Sequence, residues 1–220
     1  MFRLALLFIA SLPAQNTISR APAPVPTVDH VSPDVRAARH RIYANIETMQ
    51  PLDPSKPPRI IFVEGPPLPE LPVTMSQVIV IGRVTSITPW LTPGNKTIYS
   101  EYGVAVDSVL MNRSNWKQDT TLDVVQMGGS ASLPNGGTVS VTTRGLGERI
   151  ETGHTYVFFL IYVPIAESFK FVKTWDVTDG HAVPISGDDV GRARNNTSTV
   201  SGLLLQQLVA RIQALVNDNK

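Results

Sequence analysis

Apolar and polar residues alternate most clearly between Gln77 and Leu110, where two long runs, QVIVIGRVTSITPW and TIYSEYGVAVDSVL, flank the turn residues Thr92-Pro93-Gly94-Asn95. In the second run Ile98, Tyr102, Val104, Val106 and Leu110 fall on one face, and Tyr99, Glu101, Ala105, Asp107 and Val109 on the other. This period of two predicts a strand with one core face and one mostly wet face. The first run opens with Val78 to Ile81, apolar on both faces, which predicts burial from two sides. Gly82 then marks a bulge or bend that lets a long strand coil, and Pro89 is expected to end it.

The same pattern places the remaining elements. Thr121 to Met127 reads as a third strand, Gly128-Gly129 as a break, and Ser130 to Leu133 with Thr138 to Arg144 as a hairpin about Pro134 to Gly137. Thr155 to Val163 is continuously apolar and is expected to be the most buried strand; Phe169 to Trp175 returns from it, and one short strand is expected around Ala182 to Ile185. Helical spacing marks both ends of the chain. Ser32-Pro33-Asp34 starts a helix whose stripe of Val35, Ala38, Ile42, Ile46 and Met49 runs to Gln50, and Arg36, Arg39, His40 and Arg41 opposite are expected to face solvent. Prolines from Pro51 to Pro72 exclude regular helix, and Ile60 to Val63 among them reads as a strand or clip docked on the β-domain. Ser201 is the expected N-cap of a closing helix with the stripe Leu204, Leu205, Leu208, Val209, Ile212, Leu215 and Val216. Its cover is the β-domain itself, a second copy of the chain in a homo-oligomer, or another protein.

Five or six strands in meander order, a long bent first strand and a closing helix predict a mainly β fold. The expected architecture is a small OB-like antiparallel β-barrel over 73–187, with an N-terminal helix and a C-terminal amphipathic helix over 199–217. The 220 residues suffice for one domain with extensions, and 19 basic against 18 acidic residues leave no net field to attract nucleic acid. Cysteine is absent, which excludes disulfides, thiolate metal sites and a cysteine nucleophile. The opening MFRLALLFIASLPAQ carries Arg3, an apolar run from Leu4 to Leu12, and Ala14 at a possible cut. It reads as a secretory signal peptide over 1–14, ahead of a flexible arm, helix and proline-rich segment over 15–72. The expected location is therefore periplasmic or extracellular, with no stable membrane insertion once the leader is removed.

Candidate chemistry is sparse. His30, His40, His154 and His181 show no helix-face metal spacing, and His154 beside Gly153 reads as a turn residue. Asp176, Asp179, His181, Asp188 and Asp189 form one constellation able to offer a metal oxygen and nitrogen ligands, although Gly180 falls where EF-hand order requires a ligand. A solvated acidic loop is the plain reading of the same residues. Ser130 and Ser132 follow two glycines but lack the strand-to-helix setting of a nucleophile elbow. No cofactor is expected. The favoured function is thus an exported non-catalytic binding module for an unidentified protein or extracellular ligand, with Trp90, Tyr99, Glu101 and Trp116 as its candidate contacts. A metal-assisted hydrolase using the loop over 176–189 is the alternative from another class.

SQVIVIGRVTSIT from Ser76 to Thr88, YSEY from Tyr99 to Tyr102, and Val104 to Leu110 resemble uncharacterised exported bacterial β-domains with an "S-x-hydrophobic-G-x-V", "Y-[ST]-E" and "V-x-x-V-L" succession. Leu133 to Gly136 and Tyr156 to Leu160 continue the resemblance, which covers Leu71 to Ile185. The layout is also similar to the OB-like barrel of tissue inhibitors of metalloproteinases and netrin-type modules. The resemblance implies the fold, export and, as a further alternative, an inhibitor-like module. In those inhibitors the inhibitory group lies at a disulfide-tethered N-terminus, and this chain has no cysteine.

Overall fold

The computed structural model describes residues 31–44, 49–62, 68–134, 136–144, 150–185, 193–195 and 197–219. The expected leader, the arm up to His30, and Asp188 and Asp189 lie outside them. In chain order the elements are α1 (Pro33–Ala44), β1 (Arg59–Phe62), β2 (Val78–Leu91), β3 (Ile98–Asn112), β4 (Thr121–Met127), β5 (Gly129–Ser132), β6 (Thr138–Arg144), β7 (Thr155–Val163), β8 (Ser168–Thr178), β9 (His181–Pro184) and α2 (Leu205–Asp218). The protein is mainly β, with largely antiparallel sheets and, among the described residues, the helices α1 and α2.

The ribbon of β2 and β3 is the spine of a six-stranded sheet ordered β4-β3-β2-β7-β8-β9. A single parallel bridge, Val124 to Phe169, also joins β4 to β8, and the strands do not sit evenly about one axis. The β2–β3 register shifts between Ile81 and Gly82. A Cβ on Gly82 would meet the Ala105 carbonyl oxygen at 2.6 Å, so the strand bends where only glycine fits. Pro89 does not end β2, which runs on to Leu91. β7 pairs with β2 only from Val78 to Arg83, so a missing N–H at Pro89 breaks no bond of that ladder.

The hairpin β5–β6 leaves the main sheet, contrary to the expected meander, and takes β1 in parallel to form a second sheet ordered β1-β6-β5. The swing occurs at Gly128 and Gly129, whose φ values of +119° and +127° are closed to other residues. The clip expected at Ile60 is therefore a real strand, although Ile60 itself is exposed. Leu133, Val139 and Val141 pack with Ile98 beneath this small sheet.

β7 is buried on both faces, as its unbroken apolar run requires: Tyr156 to Leu160 are all within 1% of full burial. On one side Val157 and Phe159 join Ile79, Trp175 and the α2 residues Leu208 and Ile212; on the other, Phe158 and Leu160 join Val80, Val104 and Phe169. Each such aliphatic side chain stabilises the fold by about 1.5–3 kcal/mol. Thus α2 is covered by the chain's own sheet. It starts later than expected, with Leu204 at the cap position and its N–H donated to Gln207 Oε1 at 3.1 Å; Ser201 sits in the preceding turn. Among the described residues no helix is long and apolar enough to cross a membrane.

Candidate functional site

Helix α1 begins as its sequence directs, with the Ser32 hydroxyl accepting the Val35 N–H at 3.3 Å. Its docking does not follow the expected pattern. Of the four basic residues read as solvent-facing, Arg41 is exposed and His40 half-buried, but two are driven into the protein: Arg36 is 9% and Arg39 only 1% exposed. The receiving surface is the face of β3 and β4 that carries Tyr99, Glu101, Asp123 and Val125. Register places Glu101 beside Val125 and Gly103 beside Asp123, so the two carboxylates lie diagonally on one face. The face expected to be wet at Tyr99 and Glu101 is therefore core, because α1 covers it.

The contacts are dense. Arg36 pairs with Glu101 and donates to the Tyr99 hydroxyl at 3.1 Å, while its guanidinium carbon lies 3.7 Å from the Trp90 ring centroid. Trp90 Nε1 donates to the second Glu101 oxygen at 3.0 Å. Arg39 contacts Glu101 at 2.9 Å and donates to Asp123 at 3.0 Å, to the Ala166 carbonyl at 2.9 Å and to the Glu167 carbonyl at 3.1 Å. Two guanidinium groups thus face two carboxylates, Glu101 buried with them and Asp123 partly exposed. Tyr43 stacks on Tyr99 with centroids 5.3 Å apart and donates to the Val125 carbonyl at 3.0 Å. Burial pushes both phenols up, Tyr43 strongly; at Tyr99 the Arg36 hydrogen bond opposes the rise.

Three of the four candidate contacts, Trp90, Tyr99 and Glu101, therefore converge, but on the chain's own arginines. The fourth, Trp116, lies elsewhere. Asn112 Oδ1 accepts the Ser114 N–H at 3.0 Å, the Ser114 hydroxyl accepts the Trp116 N–H at 3.1 Å, and Asn112 Nδ2 donates to the Trp116 carbonyl at 3.0 Å. These side-chain turns fix the indole against Phe169, edge to face at 5.3 Å, and Tyr162 packs on the same Phe169 at 5.0 Å. The three rings line a cleft of about 460 Å³ whose other walls include Asp119, Asp123, Glu167 and Lys117. Asp123 is common to both places: Arg39 holds one oxygen while 41% of its side chain remains exposed. Sequence reasoning passed over Asp123, Tyr162, Phe169 and Glu167. A single acid inside the apolar strand pattern of β4 was the available signal.

The acidic loop behaves differently. Asp176 accepts the Thr178 hydroxyl at 3.0 Å, and the His181 ring nitrogen lies 2.9 Å from the Asp179 carbonyl oxygen. It is His154, read as a turn residue, that approaches Asp176, at 3.7 Å, with Glu151 at 3.8 Å from its other nitrogen. Among the described residues no three His, Asp or Glu side chains are grouped so as to hold a metal ion. No family model, curated protein or solved structure matches this chain.

Proposed function

We propose that the chain is an exported, non-catalytic binding module built on an OB-type barrel. What supports the barrel is the circuit β4-β3-β2-β7-β8 with the parallel β4–β8 bridge, the pairing of a five-stranded, partly open Greek-key barrel. Such barrels take ligands on the face of their second and third strands and on the loops joining strands one to two and four to five. In this chain those are β3, β4 and the loops over 92–97 and 164–167. Helix α1 lies over Tyr99, Glu101 and Asp123 on that face, and the cleft at Trp116, bordered by β4 and Glu167, stays open beside it. That open cleft carries the reading; the fold analogy supplies only its location.

The chain has three tryptophans, Trp90, Trp116 and Trp175, so 5-fluorotryptophan labelling gives one fluorine signal per region. A fragment screen followed by fluorine NMR is expected to yield compounds that move the Trp116 signal alone. A screen whose hits move Trp90 or Trp175 and leave Trp116 still would overturn the assignment. Calcium or zinc that raised the thermal midpoint would favour the hydrolase instead.

A further inference from the structure

We infer that the Trp116 cleft receives a guanidinium group, an arginine side chain presented by a partner peptide; this rests on the cleft being the binding surface. The chain supplies its own precedent. On the adjoining stretch of the same β3–β4 surface, Arg36 lies over the Trp90 ring with the Glu101 carboxylate beside it, and Arg39 bridges Glu101 and Asp123. A planar, weakly hydrated cation stacked on an aromatic ring and pinned by a carboxylate is the recognition this surface is built for.

The cleft repeats those parts without an arginine among its lining residues. Trp116 supplies the indole, stiffened by Phe169 and by the Asn112 and Ser114 turns, and Tyr162 adds a second ring. Counting Arg39 against Asp123 leaves Asp119 and Glu167 against Lys117 at the rim, an acidic balance. Among the described residues its carboxylates are not grouped so as to hold a metal ion, and the rings beside them suit an organic cation better than an inorganic one. The size also suits a side chain with part of its backbone, since about 460 Å³ is within the range of small-ligand sites. Arg39 has a positioning role: by joining Asp123 on β4 to the carbonyls of Ala166 and Glu167 it ties together two walls of the cleft.

The test is titration of the fluorotryptophan-labelled full chain with acetyl-Gly-Arg-Gly-amide, its citrulline counterpart, and agmatine. The arginine peptide is expected to move the Trp116 signal saturably, and citrulline, equal in shape but uncharged, to bind about tenfold more weakly. Asp119→Asn combined with Glu167→Gln, both surface changes, is expected to weaken the arginine peptide about fivefold, with a matching loss on raising salt. Equal shifts from citrulline, or no effect of the double variant, overturn the guanidinium assignment while leaving the cleft as a binding surface. Agmatine binding as tightly as the peptide overturns the peptide source. If the arginine peptide leaves Trp116 unmoved while screened fragments move it, the inference alone fails; if nothing moves Trp116, the proposed function fails with it.

Discussion

Helices α1 and α2 both close over the β-sheet, and opposite chemistry holds them there. α2 inserts Leu208 and Ile212 into an apolar cluster with Trp175 and Phe159. α1 inserts Arg36 and Arg39 between Trp90, Tyr99, Glu101 and Asp123. An apolar stripe gains from any dry surface and tolerates small shifts, because burial has no direction. Each guanidinium, by contrast, must meet its own carboxylate and carbonyls, so α1 has one acceptable register. The gain in net stability is small in the second case, since desolvation offsets much of the attraction, yet the cost of removing one partner is large.

That asymmetry is open to direct attack. Glu101→Ala takes the carboxylate from buried Arg36 and leaves Arg39 with Asp123 alone, and is expected to lower stability by about 3–5 kcal/mol in urea unfolding; a loss under about 1 kcal/mol would show that α1 docks by its apolar residues after all. Ile212→Ala is expected to cost about 2–4 kcal/mol through a cavity that α2 cannot collapse around. Alkali should separate the helices. Tyr43 of α1 and Tyr99 beneath it have phenols raised above the ordinary 10.0, whereas the cluster under α2 contains no tyrosine. Above that pH the unfolded chain releases phenolic protons that the folded chain retains, so the stability these residues contribute is full below pH 10.0 and declines as pH rises further. The fluorine signal of Trp90 should therefore change at lower pH than that of Trp175. Smallest of all, Arg41→Ala, on the exposed side of α1, should shift stability by less than about 0.5 kcal/mol; a larger loss would mean that net charge, rather than the two inserted arginines, holds the helix.

Much of this architecture is written in local pattern. The β2–β3 ribbon, the bend at Gly82, the doubly buried β7 and the stripe of α2 all follow from spacing within a few residues. What spacing cannot carry is pairing at a distance. Arg36 meets Glu101, a partner 65 positions away, so a basic helix face read alone points to water. Both halves of the clasp stood out in the sequence, Glu101 and Trp90 as candidate contacts and the arginines as surface charge; only folding makes them one object. The glycine pair at the start of β5 likewise announced a break, while the choice of β1 as the parallel neighbour of β6 depended on residues far upstream. Trp116 was visible as an aromatic near a turn. Its companions Tyr162 and Phe169 were hidden because each reads as an ordinary strand residue of a buried hairpin.

The pairing of β1 with β6 also fixes an order of events. Arg59 pairs with Val141, and α1 meets Glu101, Asp123 and Ala166, so α1 and β1 complete their native contacts only after these downstream residues have followed. Loop-closure entropy opposes these contacts until the central ribbon has formed. In pulse-labelled hydrogen exchange the amides of β2, β3 and β7 should gain protection ahead of those of α1 and β1, making α1 and β1 the last of these elements to settle.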